Sequence, residues 1–189
     1  MANNADNAAI VPDAIIYFAD SGATLPTSSA WTATAEYTEI GYYSEDGYQL
    51  TPSPGSESDL IAHNGDVVLT TTDSAGFYNL AFGPIETKKQ VVEAYFDATV
   101  DLANGSVTVS RASTQRNRVV VCVALPKDGR RIVKAFPKVR VSDREGITFN
   151  RSTMITYGMT FKTYASTDLL DADGKASHFQ IFDPLYLNS

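Results

Sequence analysis

Arg118-Val-Val-Val-Cys122-Val-Ala-Leu125, then Pro126-Lys-Asp128-Gly129, then Arg130-Arg-Ile-Val-Lys134-Ala-Phe136, is the stretch that decides the fold. Two runs rich in β-branched residues flank an Asp-Gly pair, the pattern of a tight antiparallel hairpin. Pro137 removes a ladder donor from the return run, which predicts an edge position or a bend there. Cys122 is the single cysteine. Inside an apolar run it reads as a small buried hydrophobe, and no disulfide can form within one chain.

Working outward, residues 152–164 alternate. Ile155, Tyr157, Met159 and Phe161 share one face; Thr156, Gly158, Thr160 and Lys162 share the other. That predicts a strand with one face on the core and one in water. A last hairpin is expected to turn at Asp171-Ala172-Asp173-Gly174 and return through residues 178–182, with 183–189 leaving the sheet. Upstream, residues 15–18 and 31–40 read as strands, and Ser44-Glu45-Asp46-Gly47 as a turn in which Gly47 takes a positive φ. The Pro, Ser and Gly content of residues 51–66 predicts a long loop. Residues 67–72 and 76–82 read as a hairpin turning at Asp73-Ser74-Ala75, and 106–110 as a further strand.

One helix is expected, at 86–96. Thr87 and Gln90 have capping-box spacing, and Val91, Val92, Tyr95 and Phe96 supply an apolar face that Ile85 continues. So short a helix must dock on a sheet. Residues 1–13, small and polar, read as a flexible arm.

The 189 residues carry a net charge of −7, which opposes general affinity for nucleic acid and favours solubility. The charge is uneven. Residues 115–140 contain Arg116, Arg118, Lys127, Arg130, Arg131, Lys134, Lys138 and Arg140 against Asp128 alone, a balance of +7 that leaves −14 elsewhere. Such a molecule can set its basic segment against the acidic bulk of a second copy, a head-to-tail contact that builds rings or filaments. Equally, the cations can guard a strand edge against unwanted pairing. The N-terminus lacks the basic and apolar regions of a signal peptide, and no apolar run approaches the ~20 residues that cross a bilayer. The expectation is a protein made and kept soluble in a cytoplasm.

Catalytic chemistry finds little to work with. His63 and His178 have no metal-ligand spacing. Asp171-x-Asp173-Gly174 opens like a calcium loop but lacks the later glutamate, and reads as a turn. Phosphate-cradling and nucleophile-elbow motifs are absent. The basic hairpin lacks the interleaved aromatics of a nucleic-acid surface. No enzymatic activity, cofactor or metal is expected.

Trp31, then EIGYYSEDG (39–47), a long loop, a hairpin, ETKKQVVEAYF (86–96) and ITYGMTFKTYAS (155–166) occur in an order that resembles the major tail tube proteins of long-tailed, non-contractile bacteriophages. The resemblance spans residues 15–182. One departure is Asp97, where that family often has a glycine soon after the helix. The resemblance implies a mainly β, antiparallel sandwich or barrel-like domain with one packed helix, in a single domain covering 1–189. It implies rings of six copies, stacked head to tail into the virion's tail tube, assembled in the host bacterial cytoplasm. DNA would pass through without specific binding, and tape measure, tail terminator and distal tail proteins would be neighbours, with no membrane insertion. Within that picture the loop 51–66 and the N-terminal arm are expected to join stacked rings. Arg116, Arg118, Lys127, Arg130, Arg131, Lys134, Glu45, Asp46, Glu57 and Asp59 are the candidate inter-subunit contacts, the basic hairpin meeting the acidic bulk of a neighbour. Alternatives are a β-sandwich binding carbohydrate or a cell surface through Tyr42, Tyr43 and Tyr48, a small β-rich hydrolase using the acidic turns, and a tail terminator or head decoration protein.

Overall fold

A computed structural model describes residues 10–61, 67–109 and 116–187. The valine-rich runs form the middle of an antiparallel sheet. Strand β9 (Arg118–Leu125) pairs on one side with β1 (Asp13–Asp20) and on the other with β10 (Ile132–Arg144). The sheet continues through β11 (Met159–Thr163), β6 (Phe77–Pro84) and β3 (Tyr43–Ser53). A two-residue strand, β2 (Thr38–Glu39), flanks β1, and β14 (Gln180–Phe182) pairs with the start of β10. The hairpin therefore lies inside the sheet, so its cations have no open strand edge to guard.

Pro137 resolves the choice between edge and bend. The register slips between Phe136 and Val139, a bulge in a central strand. There the missing N–H costs no ladder bond. Phe136 and Val139 both stay on the inner face because the bulge absorbs the extra residue.

The sheet curls so that its inner face packs on itself, without closing into a barrel. Phe18 of β1 reaches Phe82 of β6 and Phe161 of β11, at ring-centroid distances of 5.9 and 5.6 Å, although three strands separate β1 from β6 in the sheet order. Ile16, Ile40, Leu80, Val120, Cys122 and Phe136 complete this inner core at 0% exposure. A second cluster forms on the outer face, where Val119, Val121, Val123, Val133 and Ala135 lie under the 21–37 segment. That segment was expected to hold a strand at 31–40, and only Thr38 and Glu39 pair. Trp31 instead sits edge-on to Tyr17 and Tyr37, and the Tyr37 hydroxyl donates to the Thr24 carbonyl at 2.9 Å. Packing of these aromatics on the sheet replaces strand pairing.

The helix α1 (Lys89–Phe96) is shorter than expected and has no side-chain cap. The capping box does not form: Thr87 Oγ1 bonds with the Tyr157 hydroxyl, and Gln90 donates to Thr38 Oγ1. Val91, Ala94 and Tyr95 are buried against the inner core. At the helix exit Asp97 takes the left-handed conformation (φ 51°) that a glycine would adopt freely.

Three expectations are corrected further. Ser44–Gly47 is no hairpin turn: β3 runs straight through it. Gly47 (φ 72°) marks a bulge where the register with β6 shifts. The same left-handed glycine serves a bulge as well as a turn. Residues 51–61 are no loop. β4 (Ser56–Ile61) pairs with β5 (Val67–Ser74) beyond the end of the β3–β6 ladder, from Ser56↔Ser74 to Ile61↔Val67. The β5–β6 hairpin consequently does not exist, because each strand pairs instead with its partner from the preceding ribbon. Residues 62–66, with His63, lie outside the described residues, as do 1–9 of the expected arm. The expected 106–110 strand shortens to β8 (Ser106–Val107), paired with β7 (Val100–Asp101).

The alternating 155–162 run holds as a face and falls short as a strand. Ladder pairing begins at Met159, while Ile155 and Tyr157 still reach the inner core. The Asp171–Gly174 turn is as expected: Asp171 Oδ1 accepts from the Asp173 and Lys175 amides, between β12 (Ser166–Leu170) and β13 (Ala176–Ser177). The 178–182 return reaches β10 instead. The chain beyond it forms a 3-10 turn, Pro184–Leu187.

Candidate assembly surfaces

The basic segment divides into three groups. At the helix exit, Arg118 is 7% exposed and its Nη2 donates to the Glu93 carbonyl at 3.2 Å; burial lowers its pKa. Beside it Arg116 donates to Thr99 Oγ1 at 2.9 Å. Both side chains therefore bind their own subunit. Along β10, Lys134 lies 5.3 Å from the centroid of the Tyr48 ring, and Arg140 bonds Asn117 while covering Tyr164.

The third group is the β9–β10 turn. Lys127 is exposed at its tip. Arg130 pairs through Nε with Asp128 and through Nη1 with Asp183 at 3.4 Å. Arg130 Nη2 and Arg131 Nε are buried yet find no acceptor among the described residues. Unpaired buried donors are expensive, and guanidinium nitrogens more than most.

Of the acidic candidates, Glu45 and Asp46 are exposed on the β3 bulge, and Glu57 and Asp59 lie on β4. The bulge borders a groove of about 610 Å³ between β1 and β3, floored by Tyr43, Tyr48 and Leu50. It marks where the curled sheet stays open. The Tyr43 hydroxyl bridges it, donating to the Ala14 carbonyl at 2.6 Å. Tyr43 and Tyr48 are half-buried and Tyr42 is 77% exposed, so a three-tyrosine binding face does not form.

The single thiol is unavailable for chemistry. Cys122 is fully buried at the centre of β9, and burial pushes its pKa from 9.0 up to about 12. The unfolded chain thus loses this proton first. The stability held by the protonated thiol is complete below pH 9 and drains away as pH rises towards 12. Tyr37, raised to about 12 chiefly by burial, adds the same trend above pH 10. Denaturant titrations at pH 8 and 11 are expected to show the loss. A thiol reagent at pH 8 is expected to label Cys122 only as the chain unfolds.

Among the described residues no group of three or more His, Cys, Asp or Glu could hold a metal. His178 faces Thr163 Oγ1 at 3.1 Å and packs on Tyr78. Among the described residues no helix is long and apolar enough to cross a membrane.

Two features escaped the sequence reading. Glu86 latches the start of β3, accepting the Tyr42 N–H at 2.8 Å in a space that Gly41 (φ 83°) leaves open; a Cβ at Gly41 would run into that carboxylate. The second is a loop at 145–158, exposed over 148–154. Its signal was Asn150 followed by Ser152 and Thr153, a side-chain turn hidden by the expectation of a strand from 152.

Among the described residues the fold is antiparallel and mainly β, with one α-helix. A family model described as phage tail tube protein matches residues 1–173. The chain belongs to that family, and its role is that of a structural component of a phage tail tube. No curated protein matches it. Among solved structures it is similar to the PVC sheath–tube complex of an extracellular contractile injection system in the extended state. That match has 8% identity over 95% of this chain and 94% of the other, with a TM-score of 0.46. It is also similar to the anti-feeding prophage (AFP) baseplate, at 9% identity, 96% and 97% coverage and a TM-score of 0.44. A type six secretion system protein matches at 10% identity, 91% and 96% coverage and a TM-score of 0.30.

Proposed function

We propose that six copies of this chain close into a ring, that rings stack head to tail, and that the resulting bore conducts double-stranded DNA into the host. The observation that carries the assembly reading is the turn of the basic hairpin. Arg130 Nη2 and Arg131 Nε are buried without acceptors among the described residues, in a chain whose remainder carries −14. Acidic side chains of a neighbour would satisfy them. Such pairing across an interface sets register and partner choice. Lys127 at the same tip belongs to this contact. Glu57 and Asp59 on the projecting ribbon are its acidic candidates, and the ribbon joins one ring to the next. A net negative bore lets DNA slide without sticking. Tape measure, terminator and distal tail proteins would then cap and fill the tube. The non-contractile tail type would appear as tubes without a sheath.

The test is electron microscopy of the purified protein at rising concentration, with Arg131→Gln beside the parent. Hollow tubes of uniform width are expected from the parent, and six-fold end views from its rings. Arg131→Gln is expected to raise the concentration needed for assembly about tenfold, equivalent to about 1.4 kcal/mol per contact, with the circular dichroism spectrum unchanged. A parent that stays monomeric at every concentration overturns the reading.

A further inference from the structure

The loop between β10 and β11 is built to present something. Ile147 and Ile155 pack against the inner core at its two feet. At its tip Asn150 Oδ1 accepts from the backbone amides of Ser152 and Thr153, at 2.9 and 2.7 Å, and from the Thr153 hydroxyl at 2.7 Å. Between the anchored feet and the tied tip stand Phe149, 79% exposed, and Met154, 74% exposed, with the exposed Arg151 between them in sequence. A mobile loop can hide its apolar side chains. One held at both feet and at its tip keeps them in water, and two large apolar side chains on one short exposed loop mark an interaction surface.

The same chain carries a complementary concavity. The groove between β1 and β3 is lined by Tyr43, Tyr48 and Leu50 together with a larger share of polar surface. Its volume of about 610 Å³ falls within the ~300–1,000 Å³ range of sites that engulf small ligands. Its rim carries Asp13, Glu45 and Asp46, all exposed, against the single cation Lys134. The prong carries a central cation, and the groove carries Tyr43, Tyr48 and Leu50 within a largely polar, acidic lining, so the charges are complementary.

We propose that the 145–158 loop of one copy docks in the β1–β3 groove of a second copy, Phe149 and Met154 filling the floor and Arg151 meeting Glu45 and Asp46 at the rim. Because prong and groove are different surfaces of one chain, the contact is heterologous. It propagates from copy to copy and generates a closed ring or an open stack. The inference rests on the tube-forming reading and names the surfaces that would make one of its joints. It also gives the acidic bulge of β3 a partner distinct from the arginine turn.

The experiment is a charge swap read by assembly. Arg151→Glu, the double variant Glu45→Arg/Asp46→Arg, and the three changes combined are compared with the parent by sedimentation and electron microscopy. All three positions are exposed, so melting temperatures serve as the check that each variant folds. Each half-swap is expected to raise the assembly concentration at least tenfold, and the combined variant to restore it towards the parent value. Phe149→Ser/Met154→Ser is expected to abolish tubes while the monomer keeps its melting temperature. Half-swaps that assemble like the parent overturn the inference, as does a combined variant no better than the half-swaps. A parent that forms no tubes would defeat the tube reading itself, so the two failures are distinguishable.

Discussion

Phe161→Ala is expected to destabilise the subunit by about 3–5 kcal/mol, the cost of a lost aromatic plus the cavity it leaves. Phe161 is 0% exposed; it stacks on Phe82 at 5.3 Å and 15° and meets Phe18 edge-on. It joins the two layers that the curled sheet brings together, so no nearby side chain can collapse into its place without moving a strand. Against a typical domain stability of ~5–15 kcal/mol the loss is large enough to move the whole unfolding curve. Urea titration followed by Trp31 fluorescence measures it. Phe161→Leu, which keeps most of the volume, is expected to cost under about 1.5 kcal/mol. A loss below about 1 kcal/mol for the alanine variant would mean that the layers are not packed through this ring.

Arg118→Ala is expected to destabilise the subunit by about 2–3 kcal/mol. A buried hydrogen bond from a charged donor contributes ~1.5–3 kcal/mol, and the lost stem packing adds to it. The Glu93 carbonyl, which Arg118 serves across 25 residues of chain, is left without that donor. Arg118→Met, which keeps the apolar stem, is expected to recover about half. The informative comparison is with Arg131→Gln. Assigning Arg118 to an intersubunit contact predicts impaired assembly at unchanged stability. Its position beneath the helix predicts a lower melting temperature, with assembly of the folded fraction intact. A variant of normal stability that cannot assemble would return Arg118 to the interface.

The legible parts of this chain are those where side-chain pattern and burial agree. The valine run of β9 announced a strand because both of its faces are covered, and the Asp-Gly pair placed its turn. Ile155 to Phe161 announced their common face correctly, although backbone pairing starts only at Met159. Where one residue type serves two geometries, reading failed. Gly47 has the backbone a turn requires and uses it in a bulge. Thr87 and Gln90 have capping spacing, yet Tyr157 and Thr38 outcompete the helix for their side chains. Of the ribbon strands, β5 was legible as a strand from residue 67, while β4 was hidden by the Pro, Ser and Gly around it; they pair with each other and not with the main sheet. Charge was legible as a total and illegible as a distribution. Nothing in the local sequence says that Arg118 will find a distant carbonyl while Arg131 Nε, in the turn before the adjoining strand, finds no acceptor among the described residues.

The ribbon has a consequence for how such a subunit can change. The β3–β6 ladder ends at Ser53↔Phe77 and the β4–β5 ladder starts at Ser56↔Ser74, with Pro54-Gly55 and Ala75-Gly76 at the break. Among the described residues, the two strands beyond that break form a ladder of their own, separate from the main sheet. The length of that ladder is therefore a free parameter of the design. Residues can be added or removed in matched pairs without disturbing a single register in the main sheet. A lineage could lengthen its reach, or exchange the whole tip, while inheriting the core unaltered.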